Sequence, residues 1–398
     1  MEWVINQSKN IKIVEWIFLF LSITDTLAFL QGDTTLRLSF ITNIVIVFKY
    51  LLLLVSFFIL YRSNIGLKFK YLWVPVVIWL VFFLSSIGGK LYLMPLNLIL
   101  LSVFCILPDF LKYRIFEKYR IWIIVMSSLG ILAYLSYIFS LGIPYSLTYY
   151  YTGGDNYYYV DYMFSLLYLS GFQVRLCGLF NEPGFFGTVI ALILILEKFN
   201  LKRIGNIILL CAGFFTFSFA YYILIIIYFL VKMTKSLVSA FMTISVILLL
   251  LFYVQNTQFD DPQVQHLVDR FSIDKTKGEF SGDNRTSEEF DLSYQRMFDE
   301  GNWFLGMGGN AMVGKEFTTL SYKALIYKHG VLGFSVIMGC LFIAAYPIAR
   351  RNRDALIFLL CFFISLYQRP NIYTMSYFCL LFGGLVYITL KNEYGKLK

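Results

Sequence analysis

The sequence predicts an all-α polytopic membrane protein of about twelve transmembrane helices with a large extracytoplasmic helical loop. Three observations carry that class. Hydrophobic residues make up 59% of the 398-residue chain and charged residues 14%, against roughly 25% charged in a soluble domain. Apolar runs close to the ~20 residues that cross a bilayer recur from one end of the chain to the other. These runs do not alternate polar with apolar residues, as the strands of a membrane β-barrel do.

The apolar segments fall at roughly 13–30, 38–60, 71–88, 91–108, 121–141, 184–197, 204–218, 219–231, 237–254, 323–348, 354–368 and 372–390. The first holds Glu15 and Asp25 and has no small-residue cleavage site after it, so it reads as a helix that stays rather than a signal peptide. Within the first two segments, Glu15 or Asp25 is expected to pair with Lys49; a proton path is the alternative. Residues 204–231 form one apolar stretch. Two short helices meeting outside near Ser218 keep the basic residues on one side, whereas one long helix would invert them.

With the N-terminus inside, alternation of sides places 20 of the 33 basic residues in inside segments. The short outside loops carry only Arg37, Lys90, Arg175 and Arg369. Both termini are therefore expected in the cytoplasm. The net charge of +9 is accounted for by this orientation, and no nucleic-acid partner is implied. Six cysteines are scattered without a CxxC pair, which suggests neither a disulfide framework nor a zinc site.

Three regions follow. Residues 1–254 carry nine helices and an outer loop at 142–183. Residues 255–322 form a large outer loop holding 12 of the 24 acidic residues. Residues 323–398 carry three helices and a cytoplasmic tail. In the large loop, "TSEEFDLSYQRMF" predicts an amphipathic helix with Thr286 as N-cap and Glu289 completing a capping box. In the first outer loop, Tyr149–Tyr151 and Tyr157–Tyr159 read as an interfacial aromatic belt or as stacking platforms for sugar rings.

The chemistry concentrates at "RLCGLFNEPGFFG", residues 175–187. Pro183 suits the first turn of a helix, which puts Glu182 at the helix N-terminus, where the dipole stabilises a carboxylate. The following segment is short, so this start is expected below the membrane surface. Charged groups there are costly unless they line a wet cavity. Arg175 and Glu182 then read either as a structural ion pair or as a substrate site. Arg285, on the same side, can converge with Arg175 on a diphosphate through forked charge-assisted hydrogen bonds; a solvated arginine is the plain alternative. Gly306, Gly308 and Gly309 permit a tight turn or, less specifically, a phosphate nest.

"RLCGLFNEPGFFG" before an apolar helix resembles the R…G…EP…FG segment of bacterial O-antigen and capsular polysaccharide polymerases, the Wzy-like proteins. "GNWFLGMGGN" and "SYKALIYKHGVLGF" are similar to the stretches that close the large periplasmic loop in that family. The related O-antigen ligases share this plan, which is GT-C-like. The resemblance implies metal-independent glycosyl transfer, with no cofactor, at the outer face of the bacterial cytoplasmic membrane. Donor and acceptor are oligosaccharide repeat units on undecaprenyl diphosphate; membrane lipid and a chain-length regulator protein are the other implied partners. Glu182 is the implied base, and Arg175, Arg285 and Arg369 the cations for the leaving diphosphate. His329, in "YKHGVLG", is a second catalytic candidate because a histidine is implicated in the ligases; bonding the end of the loop is its other reading. The alternatives to a polymerase are a polysaccharide ligase and a lipid-linked oligosaccharide flippase.

Overall fold

The computed structural model describes residues 2–24, 27, 33–34, 39–85, 96–152, 155–170, 173–233, 245, 273–274, 279–280, 286–308, 311, 321–369, 372 and 374–394. The chain is mostly helical. Helices α1 (Glu2–Thr24), α2 (Ser39–Arg62), α3 (Trp73–Ser85), α4 (Leu96–Ile106) and α5 (Asp109–Ile138) come first. Then follow α6 (Pro183–Leu196), α7 (Ile204–Phe215), α8 (Phe219–Met233), α9 (Glu288–Asp299), α10 (Lys323–Ala349) and α11 (Arg353–Gln368). The last helix, α12, runs Met375–Phe378, passes through a π turn at Cys379–Gly383 and resumes at Gly384–Tyr394. Each expected apolar segment except 237–254 coincides with a helix; that segment, apart from residue 245, lies outside the described residues.

Among the described residues, α5 and α10 are long and apolar enough to cross a membrane, and α6, α7 and α8 are shorter apolar helices. Residues 204–231 form two helices, as the charge pattern requires, separated by a turn at Thr216–Ser218. Large apolar side chains stand exposed along the helices, among them Trp16, Leu54, Phe58 and Ile343.

The expectation of an all-α chain is corrected over Ser146–Gly178, which folds with Asp33–Thr34 as a sheet. Strands β1 (Asp33–Thr34), β2 (Ser146–Thr152), β3 (Asp155–Asp161), β4 (Leu166–Ser170) and β5 (Gln173–Gly178) are antiparallel neighbours in chain order. The physical reason is local. Tyrosine, threonine and valine favour strands, and Thr152 opposite Asp155 leaves a two-residue connection, Gly-Gly in the sequence, that suits a tight hairpin. The tyrosine runs pair across the hairpin, Tyr149 with Tyr158 and Tyr150 with Tyr157. β5 is buried throughout and packs on α5, α6 and α7.

α6 is the centre of the fold. Every residue from Pro183 to Leu196 is buried, with α7, α8, α11, α12 and β5 around it. At its far end Glu197 is the C-cap, where a carboxylate opposes the helix dipole. Its fully buried carboxylate is offset by Arg203 at 2.9 Å, Lys391 at 2.9 Å and Arg120 at 3.5 Å, and it accepts from the Tyr387 hydroxyl. The ends of α6, α7 and α12 are thereby joined to the body of α5 at one point.

α10 is broken at Gly330, which has φ 68° and ψ 175°. The segment after α9 fills the break. Val331 N donates to the Trp303 carbonyl (2.9 Å) and Leu332 N to that of Phe304 (3.2 Å). Met307 N donates to the Tyr327 carbonyl (2.8 Å) and Gly308 N to that of Lys328 (3.1 Å). These are the backbone groups that a helix break orphans. A Cβ at Gly330 would lie 2.2 Å from the Phe304 oxygen, and one at Gly306 2.3 Å from Gly330 N.

One smaller expectation is corrected. The N-cap of α9 is Ser287, not Thr286: the Ser287 hydroxyl accepts from Phe290 N, while the Thr286 hydroxyl donates to Asp291. Burial of Phe290 and Met297 against Tyr327 sets that register. Of the two carboxylates expected to pair with Lys49, Glu15 pairs instead with Arg114 (3.2 Å) and Lys118 (3.4 Å) of α5, and Asp25 lies outside the described residues.

Candidate functional site

The site forms where the buried strand β5 feeds α6. Glu182 is the N-cap, with extended backbone (φ −144°, ψ 138°), and Pro183 follows at the first helical position. The Glu182 carboxylate makes no capping hydrogen bond to the helix. It turns instead to Arg369, whose Nη1 meets Glu182 Oε2 in an ion pair. Sequence reasoning named both residues but paired Glu182 with Arg175.

Arg369 is the C-cap of α11, its own N–H donating to the Ser365 carbonyl at 3.0 Å. In the sequence Pro370 follows, and proline disfavours a helical conformation in the residue before it; this is why α11 stops here and Arg369 turns off the helix. The Arg369 side chain is only 4% exposed, against 26% for Glu182. Its Nε is buried without a hydrogen-bond partner among the described residues, an uncommon state for a charged donor.

Arg175 takes a different place from the one expected. Its Nε donates to the Thr216 carbonyl (3.0 Å) and its Nη2 to the Phe217 carbonyl (3.1 Å). It thereby closes the C-terminal end of α7, where free carbonyls and the dipole favour a cation. Its guanidinium also lies 5.9 Å from the Tyr168 ring centre. Arg175, Glu182 and Arg369 nevertheless all act electrostatically on one buried thiol. Burial pushes the Cys177 thiol above its ordinary range; Arg175 opposes this, Glu182 adds to it, and the Tyr168 backbone and Arg369 oppose it more weakly. All three charged groups are therefore within electrostatic reach of a single atom.

The surroundings fix this geometry. The Tyr159 hydroxyl donates to the Asn181 carbonyl at 2.8 Å, tying the sheet to the residue before Glu182. A Cβ at Gly187 would lie 2.7 Å from Thr216 Oγ1 and from Ser218 Cβ, so the final glycine of the motif admits the α7–α8 turn that carries Arg175's acceptors. Tyr377 of α12 is within electrostatic reach of Arg369 and Glu182 and stacks near Phe185, at 5.6 Å between ring centres. The sequence singled out Tyr159 only as one of a tyrosine run, and no motif pointed to Tyr377.

His329 is held by other elements. It sits just before the break in α10, with Nδ1 2.7 Å from the Ser85 hydroxyl and its ring 4.2 Å from that of Phe82, both in α3. It is buried, and its Nε2 has no hydrogen-bond partner among the described residues. Arg285 and Gly309 lie outside the described residues, as does the expected convergence of Arg285 with Arg175. Compared with known proteins, the chain matches no family model, no curated protein and no solved structure.

Proposed function

We propose that this chain is a multi-pass protein of the bacterial cytoplasmic membrane that polymerises lipid-diphosphate-linked oligosaccharide repeat units on the outer face. The membrane reading is supported by the apolar helices, by their exposed apolar side chains and by the one-sided distribution of basic residues. The observation that carries the chemistry is Arg369, a buried cation whose Nε has no partner among the described residues, held against Glu182 at the start of α6. A carboxylate able to take a proton and a guanidinium able to take a phosphate oxygen stand side by side.

In this reading a hydroxyl of the acceptor sugar gives its proton to Glu182 as its oxygen bonds to the anomeric carbon of the donor. The bond from that carbon to the lipid diphosphate breaks, and the diphosphate leaves with the electron pair. Arg369 holds the leaving group through Nε, and Arg285 is the second cation proposed for it. Arg175, occupied with the end of α7, positions the wall of the site and adds positive charge to it. His329, bonded to Ser85 of α3, is proposed as a second proton carrier.

Deleting the gene in its host tests the reading. Loss of a polymerase leaves single repeat units on the cell surface. Glycan accumulating on undecaprenyl diphosphate would indicate a ligase instead, and units trapped inside the cell would indicate a flippase.

A further inference from the structure

We infer that the segment from Trp303 to Met307 is an interfacial anchor, seated among the headgroups and upper acyl chains of the outer leaflet. The inference rests on the membrane reading above. Its basis is a sharp change of surface character. The exposed residues of α9 are mainly charged or polar, including Glu288, Glu289, Arg296 and Asp299. After the helix ends, Trp303, Phe304, Leu305 and Met307 are all exposed, Leu305 to 68%. Consecutive large apolar side chains on a solvated loop favour leaving water.

The backbone fixes the depth of this loop. It is hydrogen-bonded into the break at Gly330, level with His329 to Leu332 of α10. The unbroken part of α10 beyond the break, 331–349, is about 28 Å long at ~1.5 Å per residue, close to the ~30 Å hydrocarbon core. Arg350, Arg351 and Arg353 follow its far end, on the basic, inner side. The break therefore lies at the outer boundary of the hydrocarbon, and the loop lies beside it. Exposed apolar residues continue from the loop down α10 through Leu332, Val336 and Ile343, so loop and helix present one apolar strip. Tryptophan at that boundary matches the amphipathic chemistry of the interface, and Phe304 and Leu305 add apolar surface for the acyl chains.

The anchor is pre-shaped. Gly301 (φ 75°) ends α9 in a two-bond turn, with Gly301 N donating to Phe298 O (3.0 Å) and Asn302 N to Met297 O (2.9 Å). With both flanks tied, insertion does not require ordering a flexible loop.

The test uses the full chain in nanodiscs whose lipids carry bromine at carbons near the headgroup. The tryptophan emission of wild type minus that of Trp303→Phe isolates Trp303. The expected result is that bromolipid lowers the Trp303 component about two-fold or more, as befits a residue at the interface, while aqueous iodide barely touches it. A Trp303 component quenched by iodide and untouched by bromolipid overturns the anchor, provided the other tryptophans are still quenched by bromolipid. If no tryptophan responds to bromolipid in either protein, the membrane reading itself has failed.

Discussion

Arg369 and Glu182 form an ion pair between the end of α11 and the start of α6. The pair joins two elements that are distant in sequence, and it does so where α6 begins its wholly buried course. Glu182 is thereby turned away from capping its own helix and held by a cation.

Removing the carboxylate's charge should cost at least as much as removing the cation. Glu182→Gln leaves Arg369, only 4% exposed, without its anion, and about 1–3 kcal/mol of stability should be lost. Arg369→Gln leaves a carboxylate that is 26% exposed and open to water, and should cost less. Thermal unfolding of the two variants and the double variant in detergent measures this; additive losses would mean the pair contributes nothing.

The junction of Gly306 with Gly330 should tolerate no side chain. Both residues have positive φ, and a Cβ on either would meet backbone of the other segment at 2.3 Å or less. Gly306→Ala and Gly330→Ala should each cost about 2 kcal/mol or more. Limited proteolysis should then cut near residues 303–308 well before wild type is cut. Equal protection of the alanine variants would show that the loop is not seated in the helix break.

Glu197 should be a principal fastener of the end of α6. Glu197→Gln leaves Arg120, Arg203 and Lys391 facing one another without their shared anion. A loss of about 3 kcal/mol is expected, in the range seen when a buried pair is broken. Lys391→Met, which leaves two cations on the carboxylate, should cost distinctly less. A reversed order in thermal melts would remove Glu197 from this role.

The proposed topology puts the two basic ends of α7 and α8 on one side and the turn at Thr216–Ser218 on the other. Cysteines placed at Lys202 and Lys232, in a chain where exposed Cys211 is replaced by serine, should label from the same, cytoplasmic side. A cysteine at exposed Tyr145 should label from the outside. Labelling of positions 202 and 232 from opposite sides would contradict the arrangement.

What was legible in the sequence is what local physics determines. Apolar runs became helices because hydropathy and length act within a segment. The split of 204–231 could be read because basic residues mark both ends. Pro183 correctly placed Glu182 at an N-cap. What was missed depends on contacts between distant segments. Nothing local says that Glu182 meets Arg369 rather than Arg175, that Arg175 serves the end of α7, or that Glu197 gathers three cations. The sheet was missed for another reason: tyrosine runs suit interfaces as well as strands, and only the pairing of Tyr149 with Tyr158 and its neighbours decides between them. Gly306 and Gly330 each read as turn residues; that each makes room for the other is visible only in three dimensions.

The central claim is that the group beside Arg369 takes the proton from an acceptor sugar. The direct measurement uses purified full-length protein in nanodiscs with undecaprenyl-diphosphate-linked repeat units, scored as a polymer ladder on a gel. Wild type should build the ladder, and Glu182→Gln, at equal folded protein, should build it roughly 10²-fold more slowly or worse, as expected for loss of a general base. A near-normal ladder from Glu182→Gln would contradict the account and leave Glu182 as a structural partner of Arg369 alone.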